Sequence, residues 1–411
     1  MTNKLKVLYI SYDGMTDPLG QSQVIPYLKY LSAENIEIHI LSAEKRENFY
    51  KAKDEIAELL ISSGISWHPV YYTKKPAVIS TVKDILKIKK TSAVLHKKYN
   101  FDVVHCRSYI AAFAGVYLKK KFHVKFLFDM RGFYPDERVD GDLWPQSNPV
   151  FKLVYRYFKN KEKSFIATAD HIISLTYTAK EIIHKKFDYS DSSISVIPCC
   201  ADLEHFDFHK ISKSVLSELR NNTGISETDF VLSYLGSIGT WYMIDEMIMF
   251  FKMLKKHKQN AKFLIITKDN PDIIYNSAVK YCVGIEDIII KAAERSLVPE
   301  LLSLSQVSIF FIKPVFSKKA SSPTKLAELL GMGIPVICNS NVGDIDKFVP
   351  EFNLGILLDQ LDESNYEKVV LQIDELVKFN SEKLRAVAEE YFSVNKGAEE
   401  YYSVYKNLGI K

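Results

Sequence analysis

Short apolar segments alternate with helical patterns along the first half of the chain. The helical pattern is clearest at Val24, Leu28 and Leu31, which recur at intervals of four and three residues. Buried strands that alternate with helices predict a parallel sheet with helices on both faces, in which ligands bind at the carboxyl ends of the strands. The predicted strands contain residues 7–10, 36–40, 103–104, 126–128, 172–173 and 196–197.

The same pattern restarts near Asp229 and predicts a second domain of the same class. Its predicted strands contain residues 230–235, 263–266, 288–290, 307–311 and 336–337. A chain of 411 residues exceeds one usual hydrophobic core, so two α/β domains are expected. We place an N-terminal domain at residues 1–203, a C-terminal domain at 204–390 and a final helix within 391–411.

Composition and charge narrow the class of protein. The chain has 47% hydrophobic and 25% charged residues, as an ordinary globular protein does. A net charge of +4 gives no indication of nucleic acid as a partner, and no segment approaches the roughly 20 apolar residues that cross a bilayer. Residues 1–6 precede the first strand without the apolar core of a signal peptide. Five cysteines without a regular framework favour reduced thiols, so we expect a cytoplasmic location.

The segment from residue 321 to 337 is the most informative part of the chain. Its sequence, SSPTKLAELLGMGIPVI, predicts a loop, a short helix, a turn at Gly333 and a strand. Ser321, Ser322 and Thr324 are capping residue types, and Pro323 suits a first helical turn. We therefore expect the helix to begin with a side-chain cap.

This helix is predicted to have an apolar face and a polar face. Leu326, Leu329 and Leu330 share one face, whereas Glu328 leaves it and can enter a cleft. N–H groups at the start of the helix, with Lys325 beside them, suit a phosphate. A carboxylate one turn further along can accept hydrogen bonds from both hydroxyls of a ribose. An ordinary surface helix with one lysine and one glutamate is the alternative.

The segment resembles the donor-site helix of the family-four retaining glycosyltransferases. In that family a Glu precedes a Gly-x-Pro-Val/Ile turn by five positions, as Glu328 precedes Gly333 here. The Ser-Pro-Thr-Lys sequence before it is similar to a common variant of the element. The family often has a second Glu eight positions upstream, where this chain has Ala320. That difference affects the expected contacts with the donor sugar.

The resemblance implies the α/β GT-B fold, in which two doubly wound, Rossmann-like domains face each other across a cleft and the C-terminal helix crosses back to the first domain. It implies retaining transfer of a sugar from a nucleoside diphosphate sugar, with UDP favoured over GDP. The implied acceptor is a saccharide or polyprenyl-linked saccharide in bacterial surface-polysaccharide assembly. The layout requires no metal ion or other cofactor, because cations and helix N–H groups replace the metal.

For the second domain, the resemblance places the donor diphosphate at Gly236 and Ser237, which end a predicted strand. Many members follow with an Arg and a Lys that hold the phosphates, and residues 236–245 contain neither. Lys268 and Lys325 are the candidate replacements, because two phosphates in a cleft need a cation. The expected donor-binding residues are Gly20, Gly236, Ser237, Ser322, Thr324, Lys325 and Glu328.

Gly20 belongs to the loop of residues 13–23, which follows the first strand. This loop resembles the first glycine loop of the family, which approaches the donor phosphates and the acceptor. Glycine allows a close backbone approach, although Asp-Pro and Gly also occur in plain turns.

Polar residues end two later strands of the first domain. The resemblance places such strand ends at the acceptor or the transferred sugar, which makes His105, Arg107 and Glu137 candidates for acceptor binding. Many members have a conspicuous His where this chain has Asp129 and Arg131; we expect these two to be catalytic, with Lys268 and Lys325, and a structural Asp–Arg salt bridge is the alternative. Because Ala320 is no nucleophile, same-face substitution is expected, with a donor phosphate oxygen accepting the acceptor proton.

Two basic segments, residues 83–98 and 151–163, interleave Lys and Arg with apolar residues. Amphipathic basic helices can lie on anionic lipid, which predicts peripheral contact with the inner face of the plasma membrane. Two solvated helix faces are the alternative. For the whole chain, a GT-B sugar-nucleotide epimerase and a catalytically inactive nucleotide-binding subunit are the alternative functions.

Overall fold

The computed structural model describes residues 4–76 and 78–409. Residues 1–3, 77, 410 and 411 lie outside the described part, including the start of the predicted lead-in to the first strand and the end of the predicted C-terminal region. The chain divides into two compact units, one formed by Met1–Cys199 with Val394–Lys411 and the other by Cys200–Ser393.

The first unit contains a parallel sheet in the order β3-β2-β1-β4-β5-β6-β7. Its central strands β1 and β4 are buried along nearly their whole length, as expected of a parallel sheet covered on both faces. The elements in chain order are β1 (Leu5–Ser11), α1 (Pro18–Gln23), α2 (Ile25–Ala33), β2 (Ile36–Glu44), α3 (Arg46–Ser62), β3 (Ser66–Tyr71), α4 (Ile79–Tyr99), β4 (Val103–Arg107), α5 (Ser108–Phe122), β5 (Lys125–Asp129), α6 (Tyr134–Asp140), α7 (Pro149–Thr168), β6 (His171–Ser174), α8 (Tyr177–Phe187) and β7 (Ile194–Val196).

The second unit contains a parallel sheet in the order β10-β9-β8-β11-β12-β13. Its elements are α9 (Lys213–Thr223), β8 (Phe230–Leu235), α10 (Ile244–His257), β9 (Ala261–Ile266), α11 (Asp272–Lys280), β10 (Ile288–Lys291), α12 (Val298–Leu302), β11 (Val307–Phe310), α13 (Thr324–Gly331), β12 (Val336–Asn339), α14 (Ile345–Glu351), β13 (Gly355–Leu358), α15 (Glu363–Leu371), α16 (Ile373–Val377) and α17 (Ser381–Phe392). The final helix, α18 (Val394–Gly409), belongs to the first unit.

Two edge strands, β3 and β13, were not predicted from the sequence because they lack the apolar pattern of a buried strand. The β3 segment, SWHPVY, contains a proline and has no buried residue, so it lacks the apolar run of a central strand. The β13 segment is only four residues long and begins with Gly355. The loop expected at residues 13–23 is also shorter than predicted, because α1 begins at Pro18, a residue whose fixed φ suits a first helical turn.

The boundary between the units follows Cys199, four residues before the predicted position. Arg385 of α17 explains the difference, since its guanidinium donates hydrogen bonds to the carbonyl oxygens of Leu203 and Phe206. The amide of Ala201 also donates to the carbonyl of Phe392 at 2.8 Å. These bonds attach residues 200–207 to the second unit.

Candidate active site

Strand β8 ends in a loop that requires glycine at position 236. Gly236 has φ +118°, and a Cβ atom there would lie 3.2 Å from Nζ of Lys325. The amide of Gly236 donates to the carbonyl of Ile266 at 3.0 Å. The amide of Ile238 donates to Oδ2 of Asp269 at 2.5 Å. The loop is thus fixed with its glycine beside Lys325, while the neighbouring Ser237 is exposed.

Lys325, in the first turn of α13, is a buried lysine within a group of tyrosines. Only 6% of the residue is exposed. Its Nζ donates to the hydroxyl of Tyr234 at 3.1 Å and lies 3.7 Å from the centre of the Tyr242 ring. Burial lowers the pKa of Lys325 well below the ordinary 10.5, and Glu328 offsets this only in part. In the described part of the chain, no carboxylate lies within 4.0 Å of the ammonium.

Glu328, one turn further along α13, is buried beside an arginine that sequence reasoning missed. Nη1 of Arg295 lies 3.2 Å from Oε1 of Glu328. Burial raises the pKa of Glu328, against the lowering effect of Arg295. Arg295 lies four residues after β10, and its guanidinium also stands 5.2 Å from the centre of the Phe206 ring. No motif marks this position; its place after the end of a parallel strand was the only available signal.

Helix α13 differs from its prediction in two ways. It begins at Thr324 with Pro323 as its N-cap residue, so the N-cap position itself supplies no side-chain cap and is not one of the residues expected there. Every residue from Lys325 to Gly331 is buried, so the helix has no solvent-facing side. The turn at Gly333 is confirmed, with φ +65°.

Lys268, the other predicted phosphate ligand, lies on the surface. Its Nζ is 2.8 Å from Oε2 of the exposed Glu294. Exposed ion pairs of this kind contribute little to stability, and no described contact joins Lys268 to Lys325. The geometry therefore gives no support to a catalytic role for Lys268.

A second buried lysine, missed by the sequence reasoning, lies near the β8 loop. Nζ of Lys318 is 3.7 Å from the centre of the Trp241 ring. The backbone carbonyl of Lys318 accepts a hydrogen bond from the amide of Gly343 at 2.8 Å. Ala320, where the family often has Glu, is buried in the same segment.

In the first unit, Asp129 at the end of β5 is completely buried. Oδ2 of Asp129 accepts a hydrogen bond from the hydroxyl of Tyr401 at 3.0 Å and lies 3.4 Å from Nε2 of His105. Burial tends to raise the pKa of Asp129, but Arg131 and His105 overcome this effect and lower it. Because Tyr401 belongs to α18, the carboxylate connects the C-terminal helix to the sheet. This is a structural role and does not support direct catalysis by Asp129.

His105 and Arg107, the predicted acceptor ligands on β4, join the same network. Nδ1 of His105 lies 2.7 Å from the hydroxyl of Tyr405, so both ring nitrogens have protein partners. Burial lowers the pKa of His105. Arg107 is also buried, with Nε 3.5 Å from Oδ2 of Asp13 in the loop after β1. An acceptor contact by His105 would require the loss of one of its hydrogen bonds.

Arg131 lies at the rim of this network rather than in a close ion pair. Its Nη1 is 3.9 Å from Oδ1 of Asp129, and its Nη2 donates to Sγ of Cys199 at 3.3 Å. Arg131 has φ +57° and Ser108, directly after β4, has φ +66°. Positive φ at non-glycine residues is uncommon and clusters at functional sites. Two adjacent strand ends of this unit therefore hold strained backbone.

Two family models match most of the chain. "Glycosyltransferase Family 4" matches residues 22–205, and "Glycosyl transferases group 1" matches residues 217–391. The chain belongs to the family-four glycosyltransferases. The family resemblance of the segment around Glu328 is thereby confirmed, and the chain is a glycosyltransferase enzyme. No curated protein sequence is significantly similar to this glycosyltransferase.

Solved structures similar to the glycosyltransferase span nearly its whole length. A Rickettsia africae glycosyltransferase is 17% identical, with 99% of each chain covered and a TM-score of 0.72. Sucrose-phosphate synthase from Thermosynechococcus elongatus is 14% identical, with 98% and 99% covered and a TM-score of 0.73. Anabaena HepE, solved with UDP and glucose, is 12% identical, with 97% and 99% covered and a TM-score of 0.68. At these identities the likeness shows the fold, which is GT-B.

Gly20 of the glycosyltransferase has a role within its own chain. A Cβ atom at Gly20 would lie 2.1 Å from the carbonyl oxygen of Gly14, so the glycine permits contact between α1 and the preceding loop. The buried carboxylate of Glu44 holds that loop, because it accepts hydrogen bonds from the amides of Met15 and Thr16. The backbone approach predicted at Gly20 is therefore to the chain itself, and an approach to the donor stays a prediction.

The remaining predicted residue, Glu137, lies in the first turn of α6 and is partly exposed. Its neighbour Asp136 has a structural partner, Lys159 of α7, at 2.8 Å. Within the described residues, no three His, Cys, Asp or Glu side chains are grouped to hold a metal ion, and no helix is long and apolar enough to cross a membrane.

Proposed function

We propose that this glycosyltransferase uses a nucleoside diphosphate sugar, with UDP preferred to GDP, and binds it on α13. The observation that carries the proposal is the buried side-chain nitrogen of Lys325, which faces the rings of Tyr234 and Tyr242 and has no carboxylate within 4.0 Å in the described chain. A buried charge without a counter-ion is costly, and a diphosphate would supply the missing negative charge. The Anabaena structure solved with UDP and glucose is consistent with such a donor.

In this proposal two adjacent turns of α13 bind two parts of the donor. Lys325, the backbone at Gly236 and the N–H groups at Thr324 bind the diphosphate, and Ser322 lies just before them. Glu328 accepts hydrogen bonds from the ribose hydroxyls while Arg295 holds its carboxylate. Negative charge grows on the diphosphate as the sugar departs, so a fixed cation there stabilises the transition state more than the ground state. No metal ion is needed in this scheme.

We further propose retention by same-face substitution, with a donor phosphate oxygen accepting the acceptor proton. A double displacement would require a nucleophile beside the anomeric carbon. Asp129, the strand-end carboxylate considered for that role, is 0% exposed and bonded to Tyr401. Its burial supports the same-face route.

The proposed acceptor is a saccharide or polyprenyl-linked saccharide used in surface-polysaccharide assembly. Of the predicted acceptor ligands, Glu137 is partly exposed, whereas His105 and Arg107 are buried. The same burial weighs against an epimerase, which would need its carboxylate and histidine in contact with substrate.

Incubation with radiolabelled sugar nucleotides and an acceptor panel tests this function. Acceptor-dependent transfer supports the proposal, whereas conversion of the donor without an acceptor indicates an epimerase and binding without turnover indicates an inactive subunit. Proton NMR of the first product then gives the anomer. An inverted product, or a glycosyl-enzyme adduct in intact-mass spectra, contradicts same-face retention.

A further inference from the structure

Three helices of the first unit carry a strong local excess of positive charge. Helices α4, α5 and α7 contain 14 Lys and Arg residues and two acidic residues, a formal charge of +12 against +4 for the whole chain. The two acids, Asp84 and Glu162, are both buried, so these helices expose no carboxylate of their own. The remainder of the chain is net acidic, and the positive charge is therefore segregated.

The three helices form one surface, which we call the basic face. Phe113 of α5 contacts Phe165 of α7, with ring centres 5.0 Å apart. On its other side α5 meets α4, where Nζ of Lys89 lies 4.9 Å from the centre of the Tyr117 ring. The order across the face is therefore α4, α5, α7.

Apolar side chains are interleaved with these charges on the outward side. On α4, Ile79, Val82, Leu86 and Val94 are 55%, 51%, 59% and 60% exposed. They alternate along the same stripe with three exposed lysines, Lys83, Lys90 and Lys97. On α7, Leu153 and Tyr157 are 68% and 48% exposed next to Arg156. A solvated helix face normally places polar residues at such positions.

Shallow lysine-lined grooves separate the helices. The groove between α4 and α5, about 390 Å³, is lined by Lys89, Lys90, Lys97 and Lys121 together with Val94. The groove between α5 and α7, about 400 Å³, is lined in part by Lys89, Lys120, Lys121 and Lys161. Two carboxylates that belong to neither α4, α5 nor α7 pair with lysines of the basic face, Asp170 with Lys119 and Asp136 with Lys159. Neither pair involves a residue of the α4 stripe.

We propose that the basic face binds the anionic surface of a lipid bilayer, with its lysines at the headgroup phosphates and its exposed apolar side chains among the upper acyl chains. Charge complementarity selects an anionic partner. The interleaved aliphatic side chains select a bilayer over a polynucleotide, because only a bilayer offers an apolar layer beneath the charges. The inference is independent of the donor site on α13.

Vesicle co-sedimentation of the full chain tests the proposal. We expect binding to phosphatidylcholine vesicles with about 30% phosphatidylglycerol, little binding to phosphatidylcholine alone, and loss of binding between about 0.1 M and 0.5 M NaCl. The variant Lys83→Gln/Lys90→Gln/Lys97→Gln should bind on the order of 100-fold more weakly. A matched variant of exposed lysines in the second unit, Lys213→Gln/Lys252→Gln/Lys256→Gln, makes the same charge change and should bind as the unaltered chain does.

A second variant separates lipid from other polyanions. Leu86→Ser/Val94→Ser keeps every charge and should lose vesicle binding while leaving any binding to a short DNA duplex unchanged. Circular dichroism confirms that each variant is folded. The proposal is overturned if the unaltered chain ignores lipid charge, if the matched control weakens binding equally, or if the Leu86/Val94 variant keeps its full affinity for vesicles.

Discussion

The ammonium nitrogen of Lys325 lies 3.7 Å from the centre of the Tyr242 ring and would lie 3.2 Å from a Cβ atom at position 236. The aromatic ring stabilises the protonated side chain through its negative face, and Gly236 has no side chain that would crowd the ammonium. Lys325 is thus buried by protein on the tyrosine side and borders a glycine on the other. This arrangement places the side-chain nitrogen of Lys325 where the β8 loop meets the start of α13.

The affinity for UDP should fall as pH rises through the pKa of Lys325. Burial lowers that pKa well below 10.5, so the ligand-free side chain loses its proton at a lower pH than an exposed lysine does. The neutral amine cannot pair with a diphosphate. Calorimetry from pH 7.5 upwards, above the titration of the nucleotide phosphate, measures the decrease.

The variant Lys325→Met provides the control for this pH dependence. It should bind UDP weakly and with the same affinity at every pH in that range. The ligand-free variant should also be more stable by about 1–3 kcal/mol, because an unpaired buried charge has been removed. If the affinity of Lys325→Met for UDP falls with pH as it does in the unaltered chain, the titrating group is not Lys325.

Gly236→Ala should weaken UDP binding by about tenfold or more and destabilise the protein by about 1 kcal/mol. Its φ of +118° is unfavourable for alanine, and the new methyl group would meet Nζ of Lys325 at 3.2 Å. The matched variant Gly239→Ala lies in the same loop, where a Cβ atom meets nothing within 4 Å. If both substitutions weaken UDP binding equally, Gly236 has no specific role in donor binding.

Glu328→Ala should abolish discrimination between UDP and 2′-deoxy-UDP. A charged hydrogen bond to the ribose is worth about 1.5–3 kcal/mol, so the unaltered chain should prefer UDP by roughly tenfold or more. Glu294→Ala breaks only the surface pair with Lys268 and should leave both affinities unchanged. If Glu328→Ala retains the preference for UDP, the ribose lies elsewhere.

The central strands and α13 could be predicted because apolar runs and helical spacing report burial directly. The partners that complete the sites could not. Arg295 reaches Glu328 from a segment 33 residues away, and Tyr401 reaches Asp129 from 272 residues away. Nothing in local spacing encodes such tertiary pairs. Lys268 was proposed as a phosphate ligand from its strand-end position alone, and its pairing with exposed Glu294 could not be read from the local sequence.

Tyr401→Phe should destabilise the protein by about 1–3 kcal/mol in thermal or denaturant unfolding. The substitution removes the hydroxyl that donates to the buried carboxylate of Asp129. Tyr402→Phe, on the next position of α18, is the control and should be nearly neutral because the Tyr402 ring is partly exposed.

Asp129→Asn separates the structural role from catalysis. The pKa of Asp129 is lowered in the folded state, so its ionised form contributes stability above the ordinary carboxyl pKa, and this contribution is lost as pH falls through the lowered value. The variant should therefore be less stable than the unaltered chain at neutral pH. Its free energy of unfolding should lack the contribution that the unaltered chain loses on acidification. It should keep measurable transfer activity. Complete loss of turnover in a folded Asp129→Asn variant would indicate that Asp129 takes part in catalysis.

A crystal structure of the protein with UDP tests the central claim most directly. We expect a diphosphate oxygen within hydrogen-bond distance of Nζ of Lys325 and of the first-turn amides of α13, with both ribose hydroxyls donating to Glu328. The ammonium of Lys325, which donates to the hydroxyl of Tyr234 in the ligand-free protein, should turn toward the phosphate. UDP bound away from α13, or bound there with Lys325 and Glu328 out of contact with it, would contradict the account.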